Sequence, residues 1–355
     1  MIQRRQFIGS LTAFYASISL PQFVSATVTR DRLNWRSDVI ETIPHNKASR
    51  SPVVTGVSLQ PGGNQLAIAG DDHYIGIYDT VERRYTQHLD RHTDWIRATR
   101  YSPDGKQLAT VGNDRKLQIW SVDEWDAPAI TKTHSEAIID VAYSHDGTKI
   151  ATVGFEQTLR VYDTASGNLV QRMACHCPDN HAVAFSPDGS LIAAGGRCGH
   201  IRVWNTSNSS QTAEFKAHRK RIRSLEFTSD GKLVSAGDDQ IVRLTDPANT
   251  AFTRTLPRHA SKLYSIALLD GNLIATGGSD NNIHVWQRSD FQPAGTLKGH
   301  TGTISCLDYV SGKLVSGSYD THVRLWTTEH HTSVPAAQHS TTNNQTNNGW
   351  NRKLK

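Results

Sequence analysis

Four sets of residues in this chain hold the groups of a nucleophilic triad: His92 with Thr110 and Asp114, His218 with Ser235 and Asp239, His259 with Thr276 and Asp280, and His300 with Ser316 and Asp320. A hydroxyl activated by an imidazole that a carboxylate orients is acyl-transfer chemistry. Here, however, the set recurs at the spacing of a repeat, which argues for a structural duty in each copy. A second group is Cys175, His176, Cys177 and Cys198, with His181 close by and a fourth cysteine at Cys306. Three readings stand for it. The thiols are free small hydrophobes, or Cys175 or Cys177 forms a disulfide with Cys198 in an oxidising compartment, or the group holds a metal. The Cys-x-Cys spacing is shorter than the usual structural zinc spacing.

The elements that position these groups follow from a period. Short β-branched runs close on Tyr78, Trp120, Tyr162, Trp204, Thr245, Trp286 and Trp326, in steps of 42, 42, 42, 41, 41 and 40 residues. Each unit opens on a histidine: His45, His92, His134, His176, His218, His259 and His300. Segments such as Leu117-Gln118-Ile119-Trp120 alternate in period two, which is strand patterning. Turns such as Ser102-Pro103-Asp104-Gly105 and Ser186-Pro187-Asp188-Gly189 supply the positive φ of a tight hairpin. A period of about 40–45 residues with these boundaries is the signature of a β-propeller blade. The expected fold is all-β, a seven-bladed propeller over residues 38–328.

These residues resemble the WD-repeat β-propeller family, in seven copies. The resemblance implies a hydrogen-bonded tetrad in each blade: opening His, a Ser or Thr, an Asp, and Trp. Blade two would have His92, Thr110, Asp114 and Trp120; blade six His259, Thr276, Asp280 and Trp286; blade seven His300, Ser316, Asp320 and Trp326. Blade five keeps His218, Ser235 and Asp239 with Thr245 for Trp. Blade three has His134 and Thr152, with Glu156 for Asp and Tyr162 for Trp. Blade one has Asp72 and Tyr78 with Ile68 in the hydroxyl place. Blade four keeps His176 and Trp204, with Ala194 and Cys198 in the other two places. Blades one, three and four are expected to be the weaker ones, since a half-satisfied buried network is costly. By analogy with the family, the strand 38–43 completes blade seven and closes the ring, which removes exposed sheet edges.

The net charge of +5 sits at the ends of the chain: the segments 1–26, 27–37 and 329–355 each carry +2, leaving the propeller at −1. The basic balance is therefore poor evidence for nucleic-acid binding. Residues 1–26 resemble a twin-arginine export signal, with Arg4-Arg5, an apolar stretch from Phe7 to Leu20, and Val24-Ser25-Ala26 as a cleavage site. They imply a bacterial protein exported after folding, mature from residue 27, with 27–37 as a linker. The stretch is too short for a comfortable membrane span, so no transmembrane domain is expected in the mature chain. The alternative is a cytoplasmic protein with a coincidental Arg-Arg. The polar segment 329–355 lacks a buryable pattern and is expected to be a disordered tail.

The resemblance also implies a partner-binding top face, carrying the residues three and five after each opening histidine and the residue before the turn Asp. Here these are Trp95, Arg97, Arg197, Arg221, Arg223, Lys262 and Tyr264, with Phe155, Asp71, Asp238 and Tyr319. Aromatic and Arg side chains dominate interface hot spots. A loop cap would also explain Trp95, and a solvated surface would explain the arginines. The expected function is a non-enzymatic scaffold that binds a protein or peptide, without cofactor or metal. The alternatives are an exported propeller that binds a small or anionic ligand, and a propeller enzyme with its site at the central channel. Against an enzyme, no carboxylate pair or nucleophile motif is left once the tetrads are assigned, and the first strands show no cluster of inward acids.

Overall fold

Each period-two stretch becomes a strand, and the turns between them bring consecutive strands into antiparallel register. The computed structural model describes residues 35–43 and 50–328. The expected signal 1–26, the tail 329–355, most of the linker and the opener His45 lie outside the described residues. The described strands form seven four-stranded sheets. Blade two is typical, with strands Ile96–Tyr101, Gln107–Gly112, Lys116–Ser121 and Ile130–Thr133 in chain order. Its hairpin turns where Gly105 takes φ 70°, a value that suits glycine.

The middle strands are buried on both faces, as in Lys116–Ser121, because each sheet lies between two others. Seven apolar layers fill the seams. Ala67, Ile75, Ile77, Leu108 and Trp120 lie between blades one and two, and Ile40, Val54, Leu66 and Val323 between blades seven and one. The innermost strands of neighbouring blades touch all the way round, including those of blades seven and one. The fold is therefore an all-β, seven-bladed propeller with a central channel.

The ring closes through Trp35–Glu41, which pairs antiparallel with His322–Thr328, with Ser37 opposite Trp326 and Glu41 opposite His322. This strand lies earlier than the expected 38–43 and includes the end of the expected linker. Trp35 is drawn into the ladder by packing on the layer between blades six and seven. Thr42 leaves the ladder, and its hydroxyl donates to the Thr321 carbonyl at 2.8 Å.

Candidate functional site

In every blade the first strand begins with a β-bulge, a break in register between Val54/Gly56, Ile96/Ala98, Ile138/Asp140, Asn180/Ala182, Ile222/Ser224, Leu263/Ser265 and Ile304/Cys306. A bulge leaves one residue unpaired and re-aims its side chain. The residues skipped are Thr55, Arg97, Ile139, His181, Arg223, Tyr264 and Ser305, and all seven line one cavity of about 430 Å³ at the channel. Just above the bulge the histidine loop runs close to the end of the second strand. A Cβ on Gly112 would lie 2.6 Å from the Trp95 carbonyl oxygen, and one on Gly237 would lie 2.1 Å from that of Arg221. Glycine at these points lets the loop seat Trp95 and Arg221 at the mouth.

The mouth brings together Arg97, Arg221, Arg223, Tyr264, Phe155 and Tyr319 of the expected top-face residues. Trp95 flanks it, its ring 5.3 Å from the Arg97 guanidinium carbon. The Arg223 guanidinium lies 5.0 Å from the Tyr264 ring and donates twice to Asp238, at 2.9 and 3.2 Å. Arg221 donates to Asp179 at 2.9 Å, and Asp179 also lies 2.5 Å from His181 Nε2. Burial works to raise the Asp179 carboxyl, but His181 and Arg221 outweigh it and hold it low. Arg97 donates through Nε to Asn113 at 2.8 Å and, among the described residues, has no carboxylate partner. Burial lowers its pKa, with Arg223 adding to the effect against Tyr319 and Asp94.

Arg197 and Lys262 are exposed and do not line the cavity. Asp71 is turned to the scaffold, where it accepts from Arg50 and from the Val53 amide. Arg221 and Arg223 thus have structural partners, which their top-face position did not reveal. His181 and Asp179 were missed as mouth residues. They lie five and three residues after His176, so the same offset read in every blade would have found them.

Deeper in the channel lie charged groups that the sequence reading placed nowhere. The expectation that the first strands carry no inward acids is corrected: Asp140 and Glu226 line the cavity beside Arg100. Arg100 donates to Asp308 at 2.9 Å and stays partly wetted, with 38% of its side chain exposed. Each acid is tied to the inner strand of the next blade. Asp140 accepts the Val183 amide at 2.9 Å, Glu226 that of Leu268 at 3.0 Å, and Asp308 that of Leu59 at 2.7 Å. Ser58 and Ser265 accept the amides of Tyr101 and Leu307 at 3.0 Å in the same way. Burial pushes the Asp140 carboxyl up to about 6 and that of Glu226 up to about 7, against the pull of Arg100. These groups are staples between blades.

The triad-like sets turn out as follows. In blade two, His92 Nδ1 lies 2.9 Å from Asp114 and its Nε2 lies 2.8 Å from Thr110 Oγ1, to which Trp120 Nε1 donates at 3.2 Å. An ionised Asp114 only accepts, so Nδ1 carries the proton and Thr110 donates to Nε2. Blade seven repeats this with Asp320 at 2.9 Å, Ser316 at 2.7 Å and Trp326 at 2.9 Å. In blade five His218 meets Asp239 and Ser235, each at 2.8 Å. The hydroxyl residues Thr110, Ser316 and Ser235 are at most 1% exposed, so no substrate reaches them.

Blades six and four differ from the expected tetrads. In blade six Trp286 Nε1 reaches Thr276 at 3.3 Å, but Asp280 is taken by His284 Nε2 at 2.7 Å, and His259 Nε2 is buried without a partner among the described residues. In blade four His176 is exposed, and the thiol of Cys177 sits inside instead, 1% exposed, accepting the Cys198 amide at 3.1 Å. With Ala194 and Cys198 in place of hydroxyl and carboxylate, a buried imidazole would lack partners, so it stays in water. Blade three keeps its histidine through Tyr162, whose hydroxyl lies 2.9 Å from His134 Nε2. The Thr152 hydroxyl has no partner among the described residues, and Glu156 is drawn to Ser135 and Arg160. In blade one Asp72 accepts the Tyr74 amide at 3.4 Å.

Comparison with known proteins accounts for the repeat. The WD domain, G-beta repeat, matches residues 83–121, 128–163, 167–205, 209–246, 251–287 and 291–327, more than half of the chain. Each segment runs from the outer strand of one blade through three strands of the next. Among curated relatives, a U3 snoRNP-associated protein-like protein of Arabidopsis thaliana is 35% identical over 80 residues, 22% of this chain and 17% of that protein. Eukaryotic translation initiation factor 3 subunit I of Xenopus laevis is 37% identical over 62 residues, 17% of this chain and 19% of that protein. Cell division control protein 4 of Saccharomyces cerevisiae is 29% identical over 76 residues, 21% of this chain and 10% of that protein. The chain thus spans less than a fifth of the length of each of these relatives. Six matched repeats and seven blades together show that the chain belongs to the WD40 family, the proteins of the WD domain, G-beta repeat.

Proposed function

We propose that this propeller is a non-enzymatic recognition module that binds a protein or peptide over the top mouth of its channel. The observation that carries the reading is three exposed aromatic rings, Trp95 at 42%, Phe155 at 42% and Tyr319 at 51%, set around the arginines of one opening. Large exposed rings beside guanidinium groups are costly to keep in water and typical of contact centres. Two relatives are named for assemblies, a snoRNP-associated protein and a subunit of a translation initiation factor, which supports a protein partner. The inward acids of the channel withdraw one argument against an enzyme, but each accepts a backbone amide of the next blade and so has a structural duty.

The charge balance of the mouth favours an acidic segment. Arg221 and Arg223 are neutralised by Asp179 and Asp238, while Arg97 has no carboxylate among the described residues and Arg197 and Lys262 are exposed. The same Arg97, facing a cavity of about 430 Å³, favours a small anionic ligand as the second reading.

The test is affinity capture from the native host's extract with the full chain and with Trp95→Ala/Arg97→Ala. These two side chains are chosen because neither holds a carboxylate of the scaffold. The reading expects a retained protein whose recovery falls by about tenfold or more in the variant, equivalent to about 1.4 kcal/mol, while the melting temperature stays put. Retention that ignores the double change would overturn it. Release of the retained protein by millimolar citrate would favour the second reading.

A further inference from the structure

Blade four lacks the His–Asp bridge, and two thiols stand where its ends would be. Cys198 occupies the turn position that Asp114, Asp239 and Asp320 hold in blades two, five and seven, each bonded there to its histidine. The loop from the third blade has slipped by one residue, so that Cys177 rather than His176 points inward. The Cys177 sulfur accepts the Cys198 amide at 3.1 Å, and burial, with the neighbouring Cys198 thiol adding to it, raises its pKa. The structure also separates the two candidates for pairing. Cys175 is fully buried among Val153, Leu159, Met173 and Val183, and its thiol faces the Met173 carbonyl. Cys198 is half-buried and therefore open to a solution oxidant, with Arg202 and Glu214 and the Lys216 ammonium around it.

We propose that Cys177 and Cys198 form a reversible disulfide that closes blade four in place of the missing His–Asp bridge. Both thiols are free in the structure described. The oxidant is a small disulfide of the glutathione class. The Cys198 thiolate attacks one of its sulfurs, and one glutathione leaves as a thiol. Cys177 then attacks the Cys198 sulfur of the mixed disulfide and expels the second glutathione. Two protein thiols are oxidised, one glutathione disulfide is reduced, and the two thiol protons end on the two departing glutathiones.

The bond would act on the recognition mouth. Asp179, the carboxylate that holds Arg221, is two residues from Cys177, and its carbonyl accepts both the Cys177 thiol at 3.7 Å and the Arg197 amide at 2.8 Å. Tying Cys177 to Cys198 fixes this loop to the turn that carries Arg197. The inference does not depend on the partner proposed above, and its test uses no partner.

The experiment incubates the reduced full chain with oxidised glutathione under native conditions, quenches in acid, alkylates free thiols and maps peptides. The expected result is one dithiothreitol-sensitive link between Cys177 and Cys198, with Cys175 and Cys306 alkylated. The melting temperature should rise by roughly 5 °C in the linked form, because the closed loop restricts the unfolded chain. Cys177→Ser should trap glutathione on Cys198 as a stable mixed disulfide. A link from Cys198 to Cys175, both thiols alkylated after oxidation, or glutathione left on Cys198 in the unsubstituted protein would each overturn the proposal.

Discussion

His284 Nε2 lies 2.7 Å from Asp280 Oδ2, and so takes the carboxylate that faces the opening histidine in blades two, five and seven. The competitor sits two residues before the blade's tryptophan. Blades three, four, five and seven have Arg160, Arg202, Arg243 and Arg324 there. Arg243 approaches Asp239 at 3.5 Å and still leaves it bonded to His218.

This predicts a pH effect and its repair. Burial, with His284 beside it, pushes His259 from 6.5 down to about 4, against the pull of Asp280. Below pH 6.5 the unfolded chain then binds a proton that the folded chain refuses. The contribution of His259 is full above pH 6.5 and is lost as pH falls towards 4. Burial lowers His134 as well, with the same sign. His284→Arg should free Asp280 for His259 and reduce the loss of stability between pH 7 and 5, read by urea unfolding. An unchanged pH profile would count against the competition.

Removing the two aspartates should therefore cost different amounts. Asp114 accepts from His92, whose side chain is fully buried, and from the Thr93 and Lys116 amides. Asp114→Ala leaves a buried donor unmatched and should cost about 1–3 kcal/mol. Asp280 bonds a His284 that is a quarter exposed, so water replaces it, and Asp280→Ala should cost under about 1 kcal/mol. Equal losses in thermal unfolding would contradict the blade-six geometry.

The fold was legible because every copy reports the same strand and turn pattern, and averaging over copies reinforces it. The site is where copies differ, and there averaging hides it. Arg100, Glu226 and Asp308 lie eight residues after their histidines, where other blades have Ala142, Ala184 and Ala267. The repeat suggests no charge at that place, although the channel collects all three. Identity at a repeat position also says nothing of competition. Asp280 was present as expected, but His284 outcompetes His259 for it. His176 stood at the right offset, but without acceptors for its ring the loop slipped and buried Cys177. The mouth was legible through Arg97, Arg223 and Tyr264, because the bulge lies at a constant offset in each blade.

Glu226 predicts the opposite pH response. Burial raises its carboxyl from 4.5 to about 7, so the folded chain holds the proton more tightly than the unfolded one. Its contribution is present below pH 4.5 and is lost as pH rises through 7. Glu226→Gln keeps an acceptor for the Leu268 amide and removes the ionisable group. The variant should match the unsubstituted protein near pH 5 and unfold at a higher urea concentration at pH 8. If the substitution costs stability at pH 8, the ionised carboxylate is stabilised by Arg100 more than burial penalises it.

The closing strand offers a paired test of ring closure. Ile40 is 4% exposed and packs with Val54, Leu66 and Val323 in the seam between blades seven and one, while its neighbour Val39 is 46% exposed on the other face. Ile40→Ala removes buried methyl groups from that seam and should cost about 2–5 kcal/mol. Val39→Ala changes the same strand without touching the seam and should stay within about 0.5 kcal/mol. If the strand closes the ring, the loss is global, since blade seven supplies one wall of the seam to blade one. Thermal unfolding should then remain one transition that shifts as a whole. A loss for Ile40→Ala no larger than for Val39→Ala would mean that the ring is held by the His322–Thr328 edge alone.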